Sequence, residues 1–189
     1  ANRYGDADSQ AMTYQANGVV PEIEAIEAGS PVVVLRHEPV PDTGGAGYHR
    51  GGVARLRDSL WLTQASHTLN QLRYKRGPGF GVNGGGDGGT GGVWEFPPDG
   101  SGGLPRPGTD AAAYREATPL AGVIDEETHL PSPKGRYRYP FASGAHPTAP
   151  MTVLRYVTNG GGGWGDPLRR EPERVKIDVR DGYVTIEGA

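Results

Sequence analysis

The sequence predicts a mainly β fold with some α (α+β), loop-rich, built of glycine-rich antiparallel strands with one helix near the C-terminus. Three observations lead there. Short runs rich in β-branched and aromatic residues recur between Gly and Pro clusters, the pattern of strands bounded by turns. The 32 Gly and 17 Pro make up about a quarter of the 189 residues, a level at which aperiodic chains are suspected of disorder. They are clustered, however, and leave apolar stretches intact between them, so we expect a folded unit. Near the end, Asp166-Pro167 precedes a stretch of helical spacing.

The elements follow in chain order. After a polar opening (Arg3, Tyr4, Gly5, Asp6), Pro21 to Gly29 reads as one or two helical turns or an irregular segment. Pro31 to Val40, with Val32-Val33-Val34-Leu35, is the clearest strand. A glycine knot at Asp42–Gly52 follows. From Val53 the alternation of Ala54, Leu56, Leu60 and Leu62 with Arg55, Arg57 and Trp61 predicts a long antiparallel strand broken near Asp58-Ser59, with Leu69 to Lys75 as its partner.

Residues 77–103 hold 13 glycines in 27 positions, too long and too polar for a routine connection. They read as a functional loop system or a mobile one, with Val93-Trp94-Glu95-Phe96 as an apolar run. The Gly84–Gly89 stretch is a tunnel lining, a subunit contact or a plain loop. Residues 104–150, rich in Pro, read as extended coverage of another surface. Met151 to Thr158 is a strand, Pro167 a turn, and the main helix begins at about Glu173, with Val175 and Val179 on one face and Gly182 to end it. Tyr183 to Glu187 reads as a final strand. We treat residues 1–189 as a single unit with a Gly/Pro-rich loop region at 77–150.

Net charge is −3 and the pI about 6.0, so nothing points to nucleic acid or an anionic membrane surface. No window has the length of a membrane span, and a cytoplasmic protein is expected. The absence of cysteine excludes disulfides, thiolate zinc sites and a Cys nucleophile within this chain. His37, His49, His67, His129 and His146 show no i, i+4 pairing and no His-x-His, so no metal site is expected. His49 reads as an exposed loop histidine. No Gly-x-Ser-x-Gly and no P-loop Lys is present.

Two places carry candidate chemistry. In the run Asn159 to Pro167, the amides of Gly161, Gly162 and Gly163 converge on an anion at a helix N-terminus. Alternatively the glycines let two backbones pass closely, Trp164 plugs the core, and Asp166 only caps. In the first knot, Arg50 is an anion clamp aided by the amides of Gly44, Gly45 and Gly47, or a buried cation pairing Asp42 across the turn.

Taken together, Asp-Thr-Gly-Gly-Ala-Gly-x-x-Arg-Gly-Gly at Asp42–Gly52, Gly-Gly-Gly-Gly-Trp-Gly-Asp-Pro-Leu at Gly160–Leu168 and Asp-Val-Arg-Asp-Gly-Tyr-Val at Asp178–Val184 resemble the hydantoinase B/oxoprolinase family. Nearly the whole chain is similar to the C-terminal part of that family's large subunit. The resemblance implies a component of an ATP-dependent hydrolase of cyclic amides, inactive alone. Its partners would be a hydantoinase A-like ATPase subunit, which phosphorylates the substrate carbonyl, and a chain carrying the N-terminal hydantoinase B region. ATP and a divalent metal are implied elsewhere in the complex, with no cofactor bound by this chain, because the family's metal-binding His and Asp residues lie in that N-terminal region and nothing here matches them. A subunit of an ATP-dependent ketone carboxylase, or a non-catalytic assembly subunit, is the alternative. Arg50 and Asp166 are the catalytic candidates, and Gly44, Gly45, Gly47, Gly161, Gly162 and Gly163 the candidates for binding substrate or an anion.

Overall fold

The computed structural model describes residues 1–7, 22–68, 79–98, 100, 104–138 and 146–189. Among these residues eight strands and three short α-helices follow one another as α1 (Ile23–Gly29), β1 (Val32–Val40), β2 (Ala54–Trp61), β3 (Ala65–His67), β4 (Gly92–Phe96), α2 (Ala111–Glu116), β5 (Thr118–Ile124), β6 (Arg136–Arg138), β7 (His146–Thr148), β8 (Thr152–Val157) and α3 (Pro172–Arg180). Six strands form one antiparallel sheet in the order β1-β2-β8-β4-β5-β6, and β3 pairs with β7 in a separate ribbon. The mainly β, loop-rich class expected from the sequence is the one observed.

Residues paired across antiparallel strands share a sheet face, so the register separates the faces. One face carries the rows Val33–Leu60–Val153–Phe96, Arg36–Asp58–Arg155–Trp94 and Glu38–Leu56–Val157–Gly92. There Leu56, Leu60, Trp94, Phe96, Val153 and Val157 are buried and form the main core cluster with Tyr114 of α2. The rows Val34–Ser59–Leu154–Glu95 and His37–Arg57–Tyr156–Val93 lie on the opposite face.

Into the apolar face the chain sets one fully buried ion pair. Asp58 and Arg155 are direct cross-strand partners, 1 % and 0 % exposed. Arg155 Nε and Nη2 donate to the two carboxylate oxygens at 2.7 Å each, while Nη1 and Nη2 donate to the carbonyls of Gly108 (2.7 Å) and Pro107 (3.2 Å). The guanidinium lies 4.9 Å from the Phe96 ring centre and 5.2 Å from that of Tyr114. This pair pins the 104–110 segment and α2 to the sheet.

Several sequence expectations need correction. Strand β2 runs unbroken through Asp58-Ser59; the irregularity lies in its partner, between Val34 and Arg36 of β1. It was hidden because a bulge leaves no mark on the strand facing it. The neighbours of β2 are β1 and β8, and the Leu69–Lys75 segment falls outside the described residues. The 104–150 region is more than extended coverage: it supplies α2 and β5, the latter with Ala121, Val123 and Ile124 buried. Six residues of helix between prolines are too few for periodicity to reveal, but Asp110 caps α2 by accepting from the Ala113 amide at 3.2 Å. Tyr183 to Glu187 forms turns, not a strand. The amides of Tyr183 and Val184 donate to the Asp178 carbonyl at the end of α3, and Thr185 donates through both N–H and Oγ1 to the Asp42 carboxylate, so no amide row is left to pair. Among the described residues no helix is long and apolar enough to cross a membrane.

Candidate functional site

Three glycine-rich segments, at 43–52, 79–91 and 159–165, meet at one end of the sheet and bond backbone to backbone without forming regular strands. The Gly45 amide donates to Gly161 O (2.8 Å), Gly161 to Gly52 O (2.7 Å), Gly160 to Gly89 O (2.8 Å), Gly163 to Gly86 O (3.0 Å) and Gly86 to Ala46 O (2.7 Å). His49 and Trp164 exchange both amide bonds, at 3.0 and 2.9 Å, and Val82 and Gly165 continue the contact.

Glycine is required here by proximity. A Cβ on Gly51 would overlap Gly161 O, one on Gly160 would overlap Thr43 O, and one on Gly163 would overlap Ala46 O. The backbones stack where other proteins place side chains, which gives a rigid platform with its amide groups fixed in direction. Trp164 contributes mainly its backbone to that contact and is half-buried; the core is plugged by Trp94 instead.

A charge network, buried at Arg50, Asp178 and the Arg170 side chain and open to solvent at Asp6, clamps this platform to α3. Arg170 donates to both oxygens of Asp6 (2.7 and 3.0 Å), to Asp178 Oδ2 (2.8 Å) and to the Tyr48 carbonyl (2.8 Å). Arg50, 8 % exposed, donates from Nε to Asp178 Oδ1 (3.0 Å) and from Nη1 to Gly51 O (2.6 Å), with its guanidinium 4.4 Å from the Tyr183 ring centre. The Arg50 amide donates to Asp6 Oδ1 at 2.7 Å. Arg50 thus pairs with Asp178, 128 residues away, and not with Asp42, which holds Thr185. His49 is also buried, at 5 % exposure, rather than displayed on its loop; its Nδ1 lies 3.4 Å from Arg174 Nη1. The network went unread in the sequence because Asp6, Arg170 and Asp178 are ordinary charges there, joined only by folding.

Burial opposes the charge of Asp6, but the hydrogen bonds from Arg170 and from the Arg50 amide outweigh it and hold the carboxyl below its ordinary value. Burial likewise opposes the Arg170 charge, and Asp6 and Asp178 reverse that effect. A carboxyl with a depressed folded value binds fewer protons than in the unfolded chain, so its stabilisation is present above about pH 4 and is lost as pH falls through the folded value. We therefore expect urea midpoints of Asp6→Asn to fall less steeply than those of the wild type below about pH 4; parallel curves would contradict the role assigned to Asp6.

Beside the platform, Tyr48, Asn83, Trp164, Gly165, Asp166 and Arg169 line an open cleft of about 640 Å³. Asp166 sits at its rim, exposed, and caps the 3₁₀ turn Pro167–Arg169 by accepting from the Leu168 amide at 3.0 Å. The structure therefore puts Asp166 on the cleft and seals Arg50 within the charge network. Of the candidate anion-binding amides, those of Gly45, Gly161 and Gly163 go to carbonyls, whereas no described residue accepts from Gly44, Gly47 or Gly162. Tyr48 and Asn83 were not singled out from the sequence; the available signal was the Asn83-Gly84 step that opens a glycine run, a turn pattern met in the structure by a left-handed Asn83 (φ 53°). Among the described residues no group of three His, Asp or Glu side chains is arranged to hold a metal ion.

Comparison with known proteins agrees with this architecture. The chain is 29% identical over 192 residues to a protein from Pseudomonas sp. (strain NS671) described as the B-type component of a D-/L-hydantoinase, covering 99% of this chain and 26% of that one. It is 30% identical over 168 residues to the beta subunit of the caprolactamase from Pseudomonas jessenii, covering 89% and 24%. The crystal structure of ATP-dependent caprolactamase from Pseudomonas jessenii superposes with a TM-score of 0.57 at 24% identity, over 90% of this chain and 24% of that one. A nucleotide-free acetone carboxylase gives 0.53 at 18% identity, over 99% and 24%. The chain thus spans about a quarter of the length of these relatives. Since the profile of the hydantoinase B/oxoprolinase family matches residues 1–167, the three glycine segments included, the chain belongs to that family.

Proposed function

We propose that this chain is a component of an ATP-dependent amidohydrolase that opens cyclic amides, in which the glycine platform and its cleft form one wall of the site. The observation that carries this reading is the cleft itself: two aromatic rings, Tyr48 and Trp164, beside an exposed carboxylate and Arg169, on a backbone too tightly packed to yield. A small ring with a polar amide suits such a wall, apolar on its faces and polar at its edge. The likeness to the caprolactamase beta chain supports a cyclic amide. The partners are a hydantoinase A-like ATPase subunit and the N-terminal hydantoinase B region, in the cytoplasm, with ATP and a divalent metal held outside this chain.

In this reading Asp166 touches the substrate. Gly44, Gly47 and Gly162 offer amides to a developing anion, and the clasped Gly45, Gly161 and Gly163 fix their direction. Arg50 is a positioning residue, acting through Asp178 and the Gly51 carbonyl. A ketone carboxylase built on the same platform is the nearest alternative. An assembly role is the second reading, favoured by the burial of Arg50 against Asp178.

Kinetics and gel filtration of the assembled complex separate the readings. Asp166→Ala should lower kcat by about a hundredfold with the assembly intact. Unchanged turnover in Asp166→Ala would remove that residue from the chemistry, and loss of assembly in both Asp166→Ala and Arg50→Ala would favour the structural role.

A further inference from the structure

The sheet face opposite the main core carries a cationic cluster that the platform and its cleft do not use. Arg55 and Arg57 are two apart on β2 and project from the same face, and His37 of β1 is the direct cross-strand partner of Arg57. Side chains two apart on a strand lie roughly 7 Å from each other, and direct cross-strand partners about 5 Å, so the three cationic groups border one space.

Among the described residues these groups have no counter-charge. Every other described arginine on the core face or in the platform network meets a carboxylate, as Arg155, Arg36, Arg50 and Arg170 do. No described carboxylate lies within ion-pair distance of Arg55 or Arg57, and Arg57 Nε is buried without a hydrogen-bond partner. The Arg57 guanidinium rests 5.3 Å from the ring centre of Tyr156, the next residue in its row, which fixes its plane over the sheet. Burial, then the charges of Arg55 and Arg57, hold the His37 imidazole below its ordinary value. An unpaired buried donor and mutual repulsion of like charges both cost stability, and an anion seated between them would remove both costs.

We propose that Arg55, Arg57 and His37 form a binding site for a small oxyanion, a phosphate or carboxylate group carried by a low-molecular-weight ligand. Two guanidinium forks on a rigid strand suit the planar or tetrahedral arrangement of such oxygens, and His37 supplies a further N–H. The Arg55 amide donates to Thr158 Oγ1 at 2.9 Å, immediately before Asn159 and the glycine run, so the site adjoins the platform in sequence and in space. The proposal holds whichever reaction the assembly performs.

The test is thermal unfolding of the intact protein in its native assembly at fixed ionic strength, with chloride replaced stepwise by inorganic phosphate or by acetate. Wild type should show a saturable rise in unfolding temperature: with phosphate alone if the site takes a phosphoryl group, with both if it takes carboxylates. Arg57→Gln and Arg55→Gln should lose that rise, yet unfold in chloride at or above the wild-type temperature because repulsion is relieved. His37→Gln, at an exposed position, keeps the test available if an arginine variant fails to fold, and should weaken the response. The His37 imidazole signal in NMR should shift with phosphate in wild type and stay fixed in Arg57→Gln. Equal responses to chloride, phosphate and acetate would overturn the proposal. So would an undiminished rise in the arginine variants, or an assembly that falls apart in those variants while phosphate leaves wild type unchanged, since a partner's carboxylate would then be the occupant.

Discussion

Replacing Arg155 with Met should destabilise the fold by about 3–5 kcal/mol, the range expected when one partner of a buried ion pair is removed. The geometry explains the size of the effect. The Asp58 carboxylate is 1 % exposed and receives two 2.7 Å hydrogen bonds from the same guanidinium, so its loss strands a charge in the apolar face between β2 and β8. The carbonyls of Gly108 and Pro107 lose their donor as well, which should loosen the approach to α2. The double variant Asp58→Leu with Arg155→Met should recover most of the loss, because an apolar pair of similar volume leaves no uncompensated charge. Chemical denaturation of the two variants checks this. A loss under about 1 kcal/mol in Arg155→Met would mean that the pair is solvated or replaceable.

The second large effect concerns the platform. Gly51→Ala and Gly160→Ala each place a methyl group on a backbone carbonyl of a neighbouring segment, Gly161 O and Thr43 O respectively. Neither obstacle is a side chain that can rotate away, so the segments must separate. We expect a loss of about 3 kcal/mol or more for each, at the upper end of overpacking penalties. Hydrogen exchange should be faster at the Gly45, Gly160 and Gly161 amides, whose acceptors are moved. Gly29→Ala is the control: no atom lies within 4 Å of the added carbon, and it should be neutral or raise stability by up to about 1 kcal/mol. Neutral or raised stability in Gly51→Ala and Gly160→Ala, as at Gly29, would show that close approach does not require glycine there.

How much of this was legible in the sequence depends on the range of the interaction. Local chemistry was readable: the β-branched run of β1, the alternation of β2, and the Asp166-Pro167 cap before α3 all fall where spacing put them. The glycine knots could be recognised as special, because so many glycines in a folded chain need a reason, but their mutual stacking could not. That depends on three segments meeting across more than a hundred residues. The same holds for Arg50, whose partner Asp178 is 128 residues distant, whereas Asp42 was simply closer in sequence. Tyr183 to Glu187 misled because β-branched alternation describes a strand only if an edge is free to receive it. Here the end of α3 and Asp42 take its amides first.

The exposure of Asp166 and the burial of Arg50 give their variants different signatures. Asp166→Ala alters an exposed cap and a cleft wall, whereas Arg50→Ala strands Asp178 within a network that also holds Asp6 and Arg170. A kinetic defect with no more than the loss of one cap in stability, about 1 kcal/mol, is therefore expected only at Asp166.

Native mass spectrometry of the complex purified from its source, read together with ATP turnover, addresses the assignment most directly. The polypeptide bearing this sequence should be found bound to a hydantoinase A-like subunit and to the N-terminal hydantoinase B region, with ATP hydrolysis stimulated by a cyclic amide. A stable species containing these residues alone, with neither companion and no ATP turnover, would contradict the assignment and leave the platform a fold without that chemistry.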